Sequence, residues 1–375
     1  MLWIKKFSLV LMVICITFIL SGCWDQVEIN DNAFVIALGI DYEDDQLSVT
    51  YSFPNLPVIT NQGGDGPQSF TKNIKAPTLY EANKIFGTRS KNQLNFGHAK
   101  VIIFGEDVLS NEKVFKQVID QLERDPSFAR TLIVFGTEDK ASDLLEEEIK
   151  EKQDIGMYIY DIYQNNENDV MKTTEINLNN LISSVEEDGI LLIPKVLVEE
   201  EEPSVEGASV VINFTLEDWM DRNNVEKLSW MINKGAGTKV KVPFNNKDQE
   251  VTVEFAKFDT NFKFRDKNGQ VSIEIKIQTE GDVTAYTVNP ENSLFDENNI
   301  IKLEKKVNDE IEKETNKIVS EVQEKYKVDL FDFINELAVE NRDLWLKYNN
   351  WDEIFSNAKI EVTAQSNIRR IGVAK

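Results

Sequence analysis

The sequence of 375 residues has one histidine, His98, and two cysteines, Cys15 and Cys23. A single imidazole excludes enzymes that need two, including most zinc enzymes ligated by histidine. Two cysteines cannot supply a disulfide framework. Positive charge is also scarce: 41 Lys and Arg face 65 Asp and Glu, for a formal net charge of −24. Proteins that bind nucleic acid concentrate cations to replace phosphate counterions, so no nucleic-acid partner is expected of so acidic a chain. Hydrophobic residues make up 41% and aromatics 10%. That is enough to bury sizeable cores and argues against intrinsic disorder. The length allows two or three domains.

Catalytic signatures are missing too. No serine stands in a G-x-S-x-G elbow, and there is no Walker loop. Gly235-Ala236-Gly237 is followed by valine, not glycine, at 240, so the dinucleotide fingerprint fails. An all-oxygen cation site is conceivable at Asp41, Asp44 and Asp45, but the spacing is not that of an EF-hand and an acidic hairpin turn is the simpler reading. His98 follows Gly97 at the start of an apolar strand, has no identifiable nucleophile partner, and reads as a hydrogen-bonded structural histidine. Carboxylates are too numerous for spacing to single out a glycosidase pair. Trp345 and Trp351, flanked by Leu344, Leu346 and Phe355, read as core or interface rather than as a sugar platform. No catalytic, metal or cofactor-binding residue is assigned, and the protein is read as non-enzymatic.

The one long apolar run lies at the start. Lys5 and Lys6 precede Phe7 to Leu20, fourteen residues broken only by Ser8 and Thr17. This is short for a bilayer-spanning helix, which needs about 20 residues, and right for the hydrophobic region of an export signal. Leu20-Ser21-Gly22-Cys23 follows and fits a bacterial lipobox. Residues 1–22 are therefore expected to be a lipoprotein signal peptide cleaved between Gly22 and Cys23, with Cys23 taking the lipid. Cleavage removes Lys5, Lys6 and Cys15, so the side-chain charge goes from −24 to −26. No thiol then remains free. So acidic a body has no general attraction to anionic headgroups, and residence at the bilayer falls to the acyl chains.

The mature chain mixes strands and helices throughout. Ala33 to Ile40 reads as one buried strand, followed by the acidic turn Tyr42 to Asp45. The alternation of Leu47, Val49, Tyr51 and Phe53 then gives the second arm of an antiparallel hairpin. Helices are expected over Thr78–Arg89 and about Glu106–Glu123, strands over Gly97–Phe104, Thr131–Phe135 and Gly189–Val198, and a mostly helical stretch over Ser142–Leu181. Glu199-Glu200-Glu201-Glu202-Pro203 reads as a linker, which places domains at 23–202 and 203–375. In the second half, strands are expected at Ala208–Phe214, Val251–Phe255, Val271–Ile277 and Lys359–Ile368. A long amphipathic helix at Asn299–Tyr326 reads as laid across a sheet rather than as a coiled coil. The fold class is α+β, in two or three mixed sheet and helix domains.

Cys23-Trp24-Asp25, Glu28-Ile29-Asn30-Asp31 and Ala37-Leu38-Gly39-Ile40-Asp41 resemble the mature N-terminus of the Ger(x)C family of spore germination lipoproteins. The likeness continues through Gly97-His98-Ala99-Lys100, Phe104-Gly105-Glu106, Arg124-Asp125, Asp188-Gly189 with Pro194, and Trp345, Trp351, Phe355 and Ile360 to Gly372. Two local departures are the absence of a proline just before Trp345 and of an aromatic-lysine pattern after Gly207. The resemblance implies the C subunit of a nutrient germinant receptor, without catalytic residues. It would be a peripheral lipoprotein on the outer face of the spore inner membrane, beside integral-membrane A and B subunits. The alternative is a membrane-tethered solute-binding lipoprotein that delivers a ligand to a transporter.

Overall fold

The structure is a computed structural model that describes residues 31–60, 67–147, 153–165, 176–185, 189–232, 235–244, 250–267, 269–286, 297–348 and 350–371, and only Trp3 and Phe7 of the first thirty residues. The expected signal peptide, with Gly22 and Cys23, lies outside the described residues.

The first half is organised by one apolar sheet. After β1 (Asn32–Phe34), β2 (Ala37–Glu43) and β3 (Gln46–Pro54) form the expected hairpin, with Asp44 and Asp45 at φ 50° and 61°. Two successive residues at positive φ match the right-handed twist of the arms they join. β4 (Ser69–Ala76) extends the hairpin, and α1 (Leu79–Arg89) follows, its first turn capped by the Thr78 hydroxyl. The expected single strand Ala33–Ile40 is instead two. β1 pairs with β5 (Gln93–Asn95) in a separate ribbon, and β2 enters the main sheet. β6 (Val101–Gly105), α2 (Glu112–Arg124), β7 (Ile133–Thr137), α3 (Ala141–Glu146), α4 (Ile155–Asn165) and α5 (Leu178–Ser183) follow. Next come β8 (Leu191–Glu199), β9 (Glu202–Ile212) and β10 (Thr215–Met220). The sheet runs β10-β9-β8-β7-β6-β2-β3-β4, with its middle strands β2, β6, β7 and β8 parallel. Helices cover both faces, so the middle strands are apolar on both sides. In β6, Ile102 and Phe104 point into one core with α1, α2 and α5, while Val101 and Ile103 point into the other.

The acidic run Glu199–Pro203 is not a linker. Glu200 and Glu201, at φ 51° and 64°, are the turn of the β8–β9 hairpin, and Glu199 pairs with Glu202. Strands on both sides of residues 202/203 belong to one sheet, and the second core continues from that sheet into the C-terminal half.

The C-terminal half packs α6 (Arg222–Met231) between that sheet and a second one of order β11-β12-β13-β14. β11 is Lys239–Pro243, and the long arms β12 (Glu250–Lys267) and β13 (Gln270–Tyr286) form a hairpin. α7 (Glu297–Glu321), α8 (Phe333–Glu340) and α9 (Trp351–Asn357) precede β14 (Lys359–Ile371), which lies parallel to β13. Leu303, Val307, Ile311, Ile318 and Val319 form the buried stripe of α7, which lies across this sheet as the amphipathic pattern indicates. Polar residues on the same helix close the sheet's edge. Glu304, Asn308 and Glu312, spaced one turn apart, accept hydrogen bonds from the N–H groups of Ile368, Ser366 and Ala364 at 3.0, 2.7 and 2.8 Å. An uncovered edge would expose those donors to another chain. The architecture is the mixed α+β arrangement expected, with several sheets.

Positive φ costs a residue with a Cβ about 1–2 kcal/mol, so the β8–β9 turn stores strain that Asn-Gly would relieve. Glu200→Asn/Glu201→Gly is expected to raise unfolding stability by about 1 kcal/mol, measured as a higher urea midpoint at unchanged slope. A flexible linker at this position would gain nothing.

Candidate functional site

Two of the motif blocks of the first half, Ala37–Asp41 and Phe104–Glu106, meet at the carboxyl end of the parallel strands. In open sheets of this kind the crevice beyond the strand ends, facing helix N-termini, is where anionic ligands bind. Here the chain fills that position itself. Asp41, near the end of β2 and 1% exposed, takes the backbone N–H of Ala141 at 2.7 Å and of Ser142 at 2.9 Å, at the start of α3. Gly105 makes room for it at the end of β6, where a Cβ would lie 2.2 Å from the Asp41 Oδ1. Burial pushes the Asp41 carboxyl above the ordinary range, against the pull of the two backbone donors and the Ser142 hydroxyl.

A second buried carboxylate repeats the device. Asp154 caps α4, accepting from Met157 N at 2.8 Å and from the Ser52 hydroxyl of β3. Gly156 lets α4 approach β2, because a Cβ there would stand 2.3 Å from that of Ala37. Burial raises this carboxyl as well.

Asp41, Asp44 and Asp45 are thus divided between a helix cap and a hairpin turn. Among the described residues, no group of three or more His, Cys, Asp or Glu side chains could hold a metal ion. His98 is exposed on a turn before β6, its ring edge-on to Phe34 at 5.2 Å between centroids, whereas the expected strand Gly97–Phe104 begins only at Val101. Lys100 reaches over the ring of Tyr160 on α4. Glu106 accepts from the indole N–H of Trp219 on β10 at 3.2 Å, which ties the centre of the sheet to its far edge.

The tryptophans are dispersed. Trp230 stacks on Phe258 of the second sheet, and its indole N–H donates to Thr238. Trp351 is core, as one of the two expected readings had it, whereas Trp345 is 37% exposed. Sequence reasoning missed the partner of Trp351. Asp329, 8% exposed, accepts from the Trp351 indole at 2.7 Å, from Phe331 N at 3.0 Å and from Ile334 N at 3.0 Å. Burial outweighs these three donors and raises its carboxyl to about 7. Asp218 on β10 is a second missed contact. It joins the two halves by accepting from the Tyr326 hydroxyl at 2.6 Å and pairing with Lys325, both just beyond α7, and those partners hold its carboxyl below the usual range despite partial burial.

Substitution and pH both test these carboxylates. Gly105→Ala drives a methyl into Asp41 and is expected to cost about 2 kcal/mol. Asp41→Ala orphans two N–H groups at a cost of about 2 kcal/mol. With the carboxylate gone the methyl fits, so urea unfolding of the double variant should fall short of the sum by about 1 kcal/mol or more; strict additivity would contradict the contact. Asp329 is raised relative to the unfolded chain, so its native state binds the proton more tightly. Its contribution to stability is complete below about pH 4 and is lost as pH rises through 7. Between pH 5 and 8, wild type should lose roughly 2–3 kcal/mol of unfolding free energy relative to Asp329→Asn.

Comparison with known proteins agrees with this layout. The chain matches the spore germination protein N-terminal domain over residues 25–198 and the spore germination B3/GerAC-like C-terminal domain over residues 206–372, which flank the β8–β9 turn. Spore germination protein YndF of Bacillus subtilis is 24% identical, over 97% of this chain and 96% of its own. Spore germination protein KC of the same organism is also 24% identical, over 99% and 97%. The crystal structure of the GerBC protein superposes with a TM-score of 0.61 at 20% identity, covering 88% of this chain and 96% of that one. With both domains matched along nearly its whole length, the chain belongs to the GerAC-type family of spore germination proteins.

Proposed function

We propose that the protein is the lipid-anchored, non-enzymatic C subunit of a nutrient germinant receptor. Its place is the outer face of the spore inner membrane, beside integral-membrane A and B subunits. The observation that carries this reading is the match of both family domains, with relatives named as spore germination proteins aligned nearly end to end. The internal chemistry is consistent with it, because the crevice at the strand ends is filled by Asp41 and its helix donors are used within the fold. Among the described residues no helix is long and apolar enough to cross a membrane. Attachment is assigned, on the lipobox Leu20-Ser21-Gly22-Cys23, to a diacylglyceryl group on Cys23 after cleavage behind Gly22, and function to assembly and coupling. A subunit that transmits a nutrient signal does so through contacts that differ between resting and engaged states.

The test is germination in a strain stripped of other receptors, followed by optical density and dipicolinate release against single amino acids and sugars. Deletion of this chain and Cys23→Ala should each abolish the response to the same nutrient while a receptor-independent trigger still works. A full nutrient response in the deletion strain would overturn the receptor assignment. Solute delivery to a transporter would then lead.

A further inference from the structure

Beside β1, where the described chain begins, lies an aromatic cavity of about 320 Å³. Phe34, Phe53, Phe70 and Phe86 wall it, and Lys72 and Lys91 stand among its lining residues. Phe53 and Phe70 are cross-strand neighbours with rings stacked at 5.2 Å. Phe53 is 2% exposed, but Phe70, on the sheet's outermost strand β4, is 54% exposed. Lys72 holds its ammonium 4.5 Å from the Phe86 centroid and donates to the carbonyl of Arg89. Lys91 is exposed. Ile59, 46% exposed, lies on the turn that leaves the same end of β3. Phe70 and Ile59 thus leave an apolar opening on the face that carries Lys72 and Lys91.

We infer that this face is the surface the anchored body lays against the bilayer, with Phe70 at the boundary of headgroups and acyl chains and Lys72 and Lys91 on anionic headgroups. The inference rests on the lipid-anchor reading above. Three observations select lipid as the occupant. Asn32 lines the cavity and is nine residues from Cys23, a span of about 30 Å when fully extended. The cavity is thus confined near the membrane, whereas the rest of the body can swing away. The rim charges complement anionic headgroups. The exposed ring and aliphatic side chain suit the interface. A tether this short holds the face at an effective concentration in the millimolar range, so a contact too weak to recruit the free protein is still populated in the anchored one.

The experiment uses the mature lipidated chain on vesicles of phosphatidylglycerol and phosphatidylcholine that carry nitroxide-labelled lipid. Once Cys23 is acylated, a new cysteine is the only free thiol. An environment-sensitive fluorophore is attached in turn at Phe70→Cys, at Lys91→Cys (which leaves all four phenylalanines in place) and at Val339→Cys. Val339 is 86% exposed on α8 in the other half of the chain. Quenching at 70 and 91 should exceed that at 339 by at least about twofold, and Lys72→Glu should reduce it at both. Equal quenching at all three positions would overturn the proposal. So would a label at 91 that ignores lipid but shifts on adding a small apolar carboxylate, because the cavity would then be a ligand site. Flotation of the vesicles is read separately: a chain that does not float lacks the anchor, and both readings fall together.

Discussion

The N–H groups that open α3 point at the carboxyl ends of β2 and β6, and something anionic must meet them or they are left desolvated. Asp41 does so from within the sheet. Its position forces the residue at 105 to be glycine, brings α3 down onto β2 and closes the crevice that folds of this kind usually leave for a ligand. Asp154 repeats the arrangement for α4, with Gly156 as the accompanying gap. Both carboxylates are buried and raised, so the first sheet is set by charges that are costly to bury and are tolerated because several donors converge on each.

The second half uses polar contacts for a different end. α7 covers the sheet with an apolar stripe and, from a neighbouring line of residues, supplies acceptors to the open edge of β14. Asp218 and its partners Lys325 and Tyr326, together with the Lys227–Glu314 pair between α6 and α7, fix this layer on the first sheet. One buried core of the described residues in consequence runs through both layers.

Periodicity made much of this legible. The alternation from Leu47 to Phe53 and the long stripe of α7 each gave the element found, and the stripe from Phe115 to Leu122 gave α2, which starts at Glu112 because the expected helix from Glu106 breaks at Ser110 and Asn111. Other features had no local signal. Ala33 to Ile40 is uniformly apolar, and composition does not show that the chain leaves one sheet and enters another at Val35 and Ile36. Glu200 and Glu201 lack the glycine or asparagine that marks a tight hairpin, and four adjacent carboxylates read as a solvated linker. β12 runs well beyond the expected Val251–Phe255 because a bulge at Phe255/Lys257 breaks its alternation there. Asp41 stands beside two turn aspartates and reads as one of them; its helix partner is a hundred residues away. The aromatic cavity is assembled from β1, β3, β4 and the end of α1, so no single segment announces it.

We propose that this acidic body works by assembly with membrane partners. Affinity purification of the tagged full-length chain from solubilised spore inner membranes tests it most directly. The account predicts that the chain comes away with two integral-membrane proteins in fixed proportion, and that the complex persists through washing in detergent. Recovery of the chain alone, from membranes in which both candidate partners are present and intact, would contradict it.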